Sequence, residues 1–278
     1  MILKIVDNCN TKYCTHVGGK MKLFDTHAHY NDEKFKEDVD KLLGNMDKEN
    51  LGGIVIPGYN IESSKTATEL APKYKNVYAA VGIHPSDIEK NEEEINKQIE
   101  KIMELAQRDK VVAIGEIGLD YYWVQDNKEL QKYAFKKQIE LANQLNLPII
   151  IHTRESIQDM IHILRNEIKP NKPSILHCCP LNRELVKEGL KLDFYISFAG
   201  PVTYKNSKNA DEIIQMVPND KILIETDSPY LSPEPFRGKR NDSSKVKYIA
   251  EKIAKVKQME IEQIASITYE NAKRIFEI

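Results

Sequence analysis

Two histidines separated by one residue, His27 and His29, follow a short apolar lead in Phe24-Asp25-Thr26-His27-Ala28-His29-Tyr30. In an extended segment, side chains at i and i+2 share a side, so both imidazoles can face one point and supply half of a metal site. A lone His-x-His is more often a pair of solvated loop residues, and the other metal-type residues decide between the readings. Of the seven histidines, His84, His152 and His177 also close short apolar, β-rich runs, and Glu116 and Asp227 do the same. One polar residue of ligand type at the end of each of several strands points to a shared site. His16 does not fit this pattern. His162 falls inside a helical stretch, where packing or surface exposure accounts for it.

Three or four imidazole nitrogens and two carboxylates exceed what one tetrahedral zinc requires. They suit two divalent ions about 3.5 to 4 Å apart, bridged by a carboxylate. Glu116 is the natural bridge, with His27, His29 and Asp227 around one ion and His152 and His177 around the other. Two such ions, Mg2+, Mn2+ or Zn2+, would activate water near neutral pH and stabilise charge in a transition state, which is hydrolysis chemistry. Asp227 and Glu116 take the catalytic roles, Asp227 by orienting or deprotonating the attacking water. His84, in Gly82-Ile83-His84-Pro85, is expected at the rim. Arg154, two residues after His152, can face the same mouth, and its planar guanidinium suits bidentate phosphate binding.

Positioning such residues requires a scaffold whose strands all end on one side. Lys22–Thr26, Leu51–Pro57, Val77–Ile83, Val111–Ile117, Leu147–Ile151, Pro173–Leu176, Phe194–Phe198 and Lys221–Glu225 are nearly continuous apolar runs. Such runs suit parallel strands buried on both faces. Amphipathic helical patterns lie between them, and Ile261, Ile264, Ala265, Ala272, Ile275 and Phe276 mark a further closing helix. Eight strand and helix units predict a (β/α)8 TIM barrel, whose active site sits at the C-terminal ends of the strands. The 278 residues fit one such domain over 21–278. Residues 1–20 read as an N-terminal extension outside the fold, ahead of Met21, and Cys9, Cys14 and His16 match no standard zinc spacing.

Bulk properties set outer limits on function. A formal charge of -2 and a pI near 6.4 give no global basic excess, so any phosphate recognition must be local. Four cysteines, two of them adjacent, form no secreted-type framework and favour a reducing compartment. No run is long and apolar enough to span a membrane. A cytoplasmic, monomeric enzyme is the expectation.

Phe24-Asp25-Thr26-His27-Ala28-His29, Gly82-Ile83-His84-Pro85, Gly115-Glu116-Ile117-Gly118-Leu119-Asp120-Tyr121-Tyr122, His152-Thr153-Arg154 and Glu225-Thr226-Asp227-Ser228-Pro229-Tyr230-Leu231 stand in an order that resembles the motifs of the TatD family of metal-dependent deoxyribonucleases. The resemblance covers essentially all of 21–278. It implies an amidohydrolase-type barrel with a divalent-metal site and exonuclease-type hydrolysis of DNA, single-stranded or at 3' ends. It also implies a loop over 235–241 matching the family, in which Arg237 is a candidate substrate contact beside His84 and Arg154. Ser243 and Ser244 stand where the family commonly places a proline nearby, a change expected to affect loop rigidity alone. A metal-dependent ester or amide hydrolase, such as a D-aminoacyl-tRNA deacylase, is the alternative enzyme. A noncatalytic metal-holding module is the third reading, disfavoured because a structural site needs no open coordination.

Overall fold

The computed structural model describes residues 21–278; the expected extension over 1–20, with Cys9, Cys14 and His16, lies outside the described residues. Eight parallel strands form one sheet in chain order, β1 Leu23–Asp25, β2 Leu51–Pro57, β3 Val77–Val81, β4 Val111–Asp120, β5 Ile149–Arg154, β6 Ile175–Leu176, β7 Tyr195–Phe198 and β8 Ile222–Ile224. The seam between β8 and β1 is drawn together by Thr26 N–H donating to Ile224 O at 3.1 Å and by a parallel bridge between Ala28 and Ser228. The helices α1 Val39–Gly44, α2 Ile61–Leu70, α3 Glu92–Leu105, α4 Lys128–Leu145, α5 Ile157–Asn166, α6 Arg183–Lys191, α7 Ala210–Met216 and α8 Val246–Lys257 follow the successive strands, and α9 Ile261–Phe276 follows α8. This is the (β/α)8 barrel expected from the alternation of patterns. Among the described residues no helix is long and apolar enough to cross a membrane.

The barrel has two apolar layers, and strand periodicity sorts residues between them. Phe24, Val55, Ala80, Ala113, Ile150, Ile175, Tyr195 and Leu223, one from each strand, form an interior cluster. Their neighbours, such as Leu23, Ile54, Ile151, Leu176 and Ile224, join the larger cluster beneath the helices. Both faces are therefore buried, which is why the strands read as continuous apolar runs. Ala272, Ile275 and Phe276 of α9 complete the interior cluster, with Phe276 and Tyr269 rings near 6 Å from Phe24 (6.2 and 6.1 Å between centroids). The closing helix thus seals the interior from the end opposite the strand C-termini.

Only β2 keeps its expected bounds, and two of the departures have a local cause. Pro173 has no N–H to donate to a ladder, and β6 shortens to two residues. β4 runs on to Asp120 because Gly118, Leu119 and Asp120 pair with His152, Thr153 and Arg154 of β5. Gly118 makes that pairing possible. Its φ is +149°, and a Cβ there would lie 2.0 Å from the carbonyl oxygen of His152. Gly118→Ala is therefore expected to destabilise the barrel by about 1–3 kcal/mol through forced backbone movement, lowering Tm by roughly 2–10 °C. Thermal unfolding indistinguishable from wild type would show that the two strands separate at no cost.

Candidate metal centre

Strand parity carries the site residues from the interior layer to the mouth of the barrel. Ile150, Ile175 and Leu223 point inward, so residues two further on, His152, His177 and Glu225, also point inward but at the C-terminal end. Glu116 reaches the same place through an irregularity, because the register between β4 and β5 shifts between Ile114 and Ile117. Such a bulge re-aims a side chain next to an active site. His27 and His29 follow β1 on either side of Ala28, whose N–H donates to Val55 O at 3.1 Å while His29 N–H donates to Ser228 O at 2.7 Å. Asp227 adopts the left-handed region, φ 54°, and its N–H donates to His27 O at 2.9 Å.

These elements bring His27, His29, Glu116, His152, His177 and Asp227 into one cluster. His27 Nε2, His29 Nε2 and Asp227 Oδ1 form a triangle with sides of 3.1, 3.4 and 3.6 Å. The Oε2 atom of Glu116 lies 3.4 Å from His27 Nε2 and 3.6 Å from His29 Nε2. Its other oxygen, Oε1, faces a different set, 2.8 Å from His152 Nδ1, 3.1 Å from His177 Nε2 and 3.9 Å from His84 Nε2. His84 is therefore nearer the centre than a rim residue need be, and with Glu116 and His152 it makes a second compact group of possible ligands.

The donor set fits a divalent cation. The corners of the first triangle are all about 2.0 Å from its centre, the length of a zinc to nitrogen or oxygen bond. Burial opposes ionisation of Glu116, yet His177 and His27, with hydrogen bonds from His152 and His177, hold its carboxyl well below the usual carboxylate range. Burial likewise opposes ionisation of Asp227, and His29 above all, with His177 and His27, outweighs it and lowers its pKa. Two such carboxylates among nitrogen donors attract positive charge. Burial, reinforced by neighbouring His152, pushes the His84 imidazole down to about 3, which leaves it neutral and able to coordinate.

Three further acids hold the cluster in place, none assigned a role by the sequence reading. Glu225, fully buried, accepts from His177 Nδ1 at 2.9 Å and from Cys178 N–H at 2.7 Å. Asp120 faces His152 Nε2 at 2.9 Å and accepts from Tyr122 and Trp123 N–H at 2.9 and 3.0 Å. Carboxylate partners of this kind orient a ligating imidazole and fix its tautomer. Asp25, also fully buried, accepts from Thr226 N–H at 2.9 Å, Thr226 Oγ1 at 2.6 Å and Ser243 Oγ at 2.6 Å, tying the two loops that carry His27 and Asp227. Burial pushes its carboxyl up to about 7 against the pull of those hydroxyls. A charged residue interrupting or ending an apolar run was the available signal in all three cases.

Ser243 corrects the expectation of a purely loop-stiffening difference. It is fully buried, and besides bonding Asp25 its N–H donates to the Tyr30 hydroxyl at 3.1 Å. Ser243→Ala should leave a buried carboxyl short of a partner and cost about 1–3 kcal/mol. Urea unfolding would read this directly, and unchanged stability would show that Asp25 is satisfied without Ser243.

Above the cluster opens a cleft of about 650 Å³ whose lining includes His84, Trp123, Arg154, Cys178, Asp227 and Tyr230, a size usual for small-ligand sites. Arg154 lies with its guanidinium 3.8 Å over the Tyr122 ring. Arg154 makes no ion pair with the adjacent Glu155. Arg237 is not brought into the cleft; it lies 4.4 Å over Tyr204 on the loop beyond. Its neighbour Arg240 is held by Asp38, with Nη1 to Oδ1 at 3.0 Å. His162 is exposed on α5, as its helical position indicated.

The family model described as TatD related DNase matches residues 24–277. The chain is 47% identical over 257 residues to the uncharacterized metal-dependent hydrolase YabD of Bacillus subtilis, covering 92% of this chain and 99% of that protein. It is 35% identical over 261 residues to the metal-dependent hydrolase YcfH of Escherichia coli K12, covering 93% and 97%. Among solved structures, YjjV, a TatD homolog from Escherichia coli K12, superposes with a TM-score of 0.84 at 26% identity, covering 93% of this chain and 99% of that one.

Proposed function

This chain belongs to the TatD family of metal-dependent hydrolases, and from that premise we propose that it is a deoxyribonuclease, hydrolysing phosphodiester bonds of DNA at a two-ion centre. The observation that carries the reading is the division of Glu116, with Oε2 facing His27 and His29 and Oε1 facing His152 and His177. A carboxylate so placed would serve two cations at once. His27, His29 and Asp227 would hold one ion and His152 and His177 the other, with His84 at its margin. Two bound divalent ions supply Lewis acidity and an activated water at neutral pH.

The protein's own groups do the rest. Asp227 Oδ1 faces His27 and His29, and the residue lines the cleft, where its carboxylate can accept a proton from water. Glu225 and Asp120 keep His177 and His152 turned toward Glu116. Arg154 favours a phosphodiester over a carboxylic ester: its guanidinium lines the cleft, backed by an aromatic face and paired with no carboxylate among the described residues. A planar cation left open in this way suits a phosphate.

The test is incubation of the purified protein with a labelled single-stranded oligonucleotide and Mg2+, Mn2+ or Zn2+. Metal-dependent shortening of the strand, abolished by EDTA, is expected. Turnover of an aminoacyl ester with no DNA cleavage under any of the three metals would replace this reading with the deacylase alternative.

A further inference from the structure

The large apolar side chains exposed among the described residues are Tyr122, Trp123 and Tyr230, at 45%, 67% and 45%, and all three stand at the mouth of the same cleft. Trp123 and Tyr230 line it directly, and the Tyr122 ring meets Trp123 edge to face at 4.8 Å. Scattered exposed apolar residues need no explanation, but a concentration at one opening does. The two sides of the opening differ. Tyr230 is already engaged, its hydroxyl donating to Asp32 at 2.7 Å and its ring covered by Lys34 at 4.2 Å. Trp123 is the more open: two-thirds of it faces solvent.

The loop carrying Trp123 is built to hold its shape. Asp120 accepts from the N–H groups of both Tyr122 and Trp123 through Oδ1, while its Oδ2 contacts His152. One carboxylate thus fixes the aromatic pair relative to a candidate metal ligand. Beneath them Tyr121 is buried, its hydroxyl donating to Asp159 at 2.7 Å. Arg154 lies over Tyr122 at 3.8 Å and 5.3 Å from the Trp123 centroid. A flat apolar face thus stands beside an open cation and next to the centre. That combination matches one nucleotide unit, with its base on the indole and its phosphate on the guanidinium.

We propose that Trp123, buttressed by Tyr122 and set beside Arg154, is a stacking shelf for one unpaired nucleobase of the strand whose phosphate enters the metal centre. The shelf rests on the nuclease reading and deepens it. A base inside a duplex has both faces covered, so the shelf takes single-stranded ends and excludes blunt duplexes.

Trp123 is the only tryptophan of the chain, so its fluorescence reports the shelf alone. The experiment titrates the magnesium-loaded protein with a short phosphorothioate oligothymidylate, which resists cleavage, and with a base-free sugar-phosphate strand of equal charge. Quenching by the first and none by the second is expected. Anisotropy of a labelled strand should show Trp123→Ala binding roughly 5- to 100-fold more weakly, the range of one lost base stack, with Trp123→Phe restoring most of the affinity. Equal quenching by both strands, no quenching by either, or an unchanged affinity in Trp123→Ala would overturn the shelf. Cleavage of an unmodified strand, run in parallel, separates the two ideas. Cleavage without quenching keeps the nuclease and removes the shelf, and quenching without cleavage does the reverse.

Discussion

Replacing Glu116 with glutamine is expected to lower DNA cleavage by at least on the order of 10²-fold and to reduce the metal retained after dialysis. The two carboxylate oxygens address different imidazole sets, Oε2 at 3.4 and 3.6 Å from His27 and His29, and Oε1 at 2.8 and 3.1 Å from His152 and His177. An amide can offer an oxygen to only one set and must turn an NH2 group toward the other. It also removes the negative charge that compensates two neighbouring cations, and local ion charge dominates the electrostatics of such a site. Loss of one preorganised electrostatic group typically costs 10²- to 10³-fold, roughly 3–4 kcal/mol. Side-chain size is nearly unchanged, so the barrel should keep its Tm. His84→Ala should cost less, because His84 Nε2 is 3.9 Å from Glu116 and outside the first triangle. Turnover of a labelled oligonucleotide and metal analysis on the same dialysed samples check both variants. Wild-type values for Glu116→Gln would refute the bridging assignment.

Asp227→Asn is expected to slow the chemical step by a factor on the order of 10² or more while leaving substrate affinity less affected. The carboxyl stays ionised because His29 in particular, with His177 and His27, outweighs its burial, so it is available as a proton acceptor in the cleft it lines. An amide is not, and a positioned proton acceptor contributes about 10²- to 10⁴-fold. Arg154 is untouched by the change and continues to face the cleft. The near-isosteric side chain should also keep the left-handed turn, which asparagine adopts readily. Single-turnover cleavage at saturating metal separates the chemical step from binding. Equal rates for Asp227→Asn and wild type would reduce Asp227 to a structural residue of its loop.

The barrel was legible because burial on both faces leaves nearly continuous apolar runs, and eight of them alternate with amphipathic patterns. Strand ends were legible to within a few residues, except where pairing overrode composition. β4 extends to Asp120 because Gly118 lets it follow β5. The residues that gather at the centre were visible as polar groups closing those runs, since a long-range cluster built from strand ends needs only the topology to be placed. Asp25, Asp120 and Glu225 escaped assignment for a physical reason. An acid that orients a ligand has the same sequence signature as an acid that merely ends a strand, and only the distances to His152, His177 and Ser243 distinguish them. Arg237 shows the opposite limit. Its loop lies in the long connection between β8 and α8, whose path depends on contacts such as Arg240 with Asp38, and no local pattern encodes which side chains reach the cleft.

The central claim joins metal, Glu116 and DNA hydrolysis in one site, and a stoichiometric titration tests it most directly. Metal-stripped protein would be titrated with Mn2+, bound metal counted and release from a labelled single-stranded oligonucleotide followed at each point. Cleavage that rises with occupancy and reaches its plateau at two ions per chain is the predicted result. Full cleavage at one ion, or none at any occupancy, would contradict it.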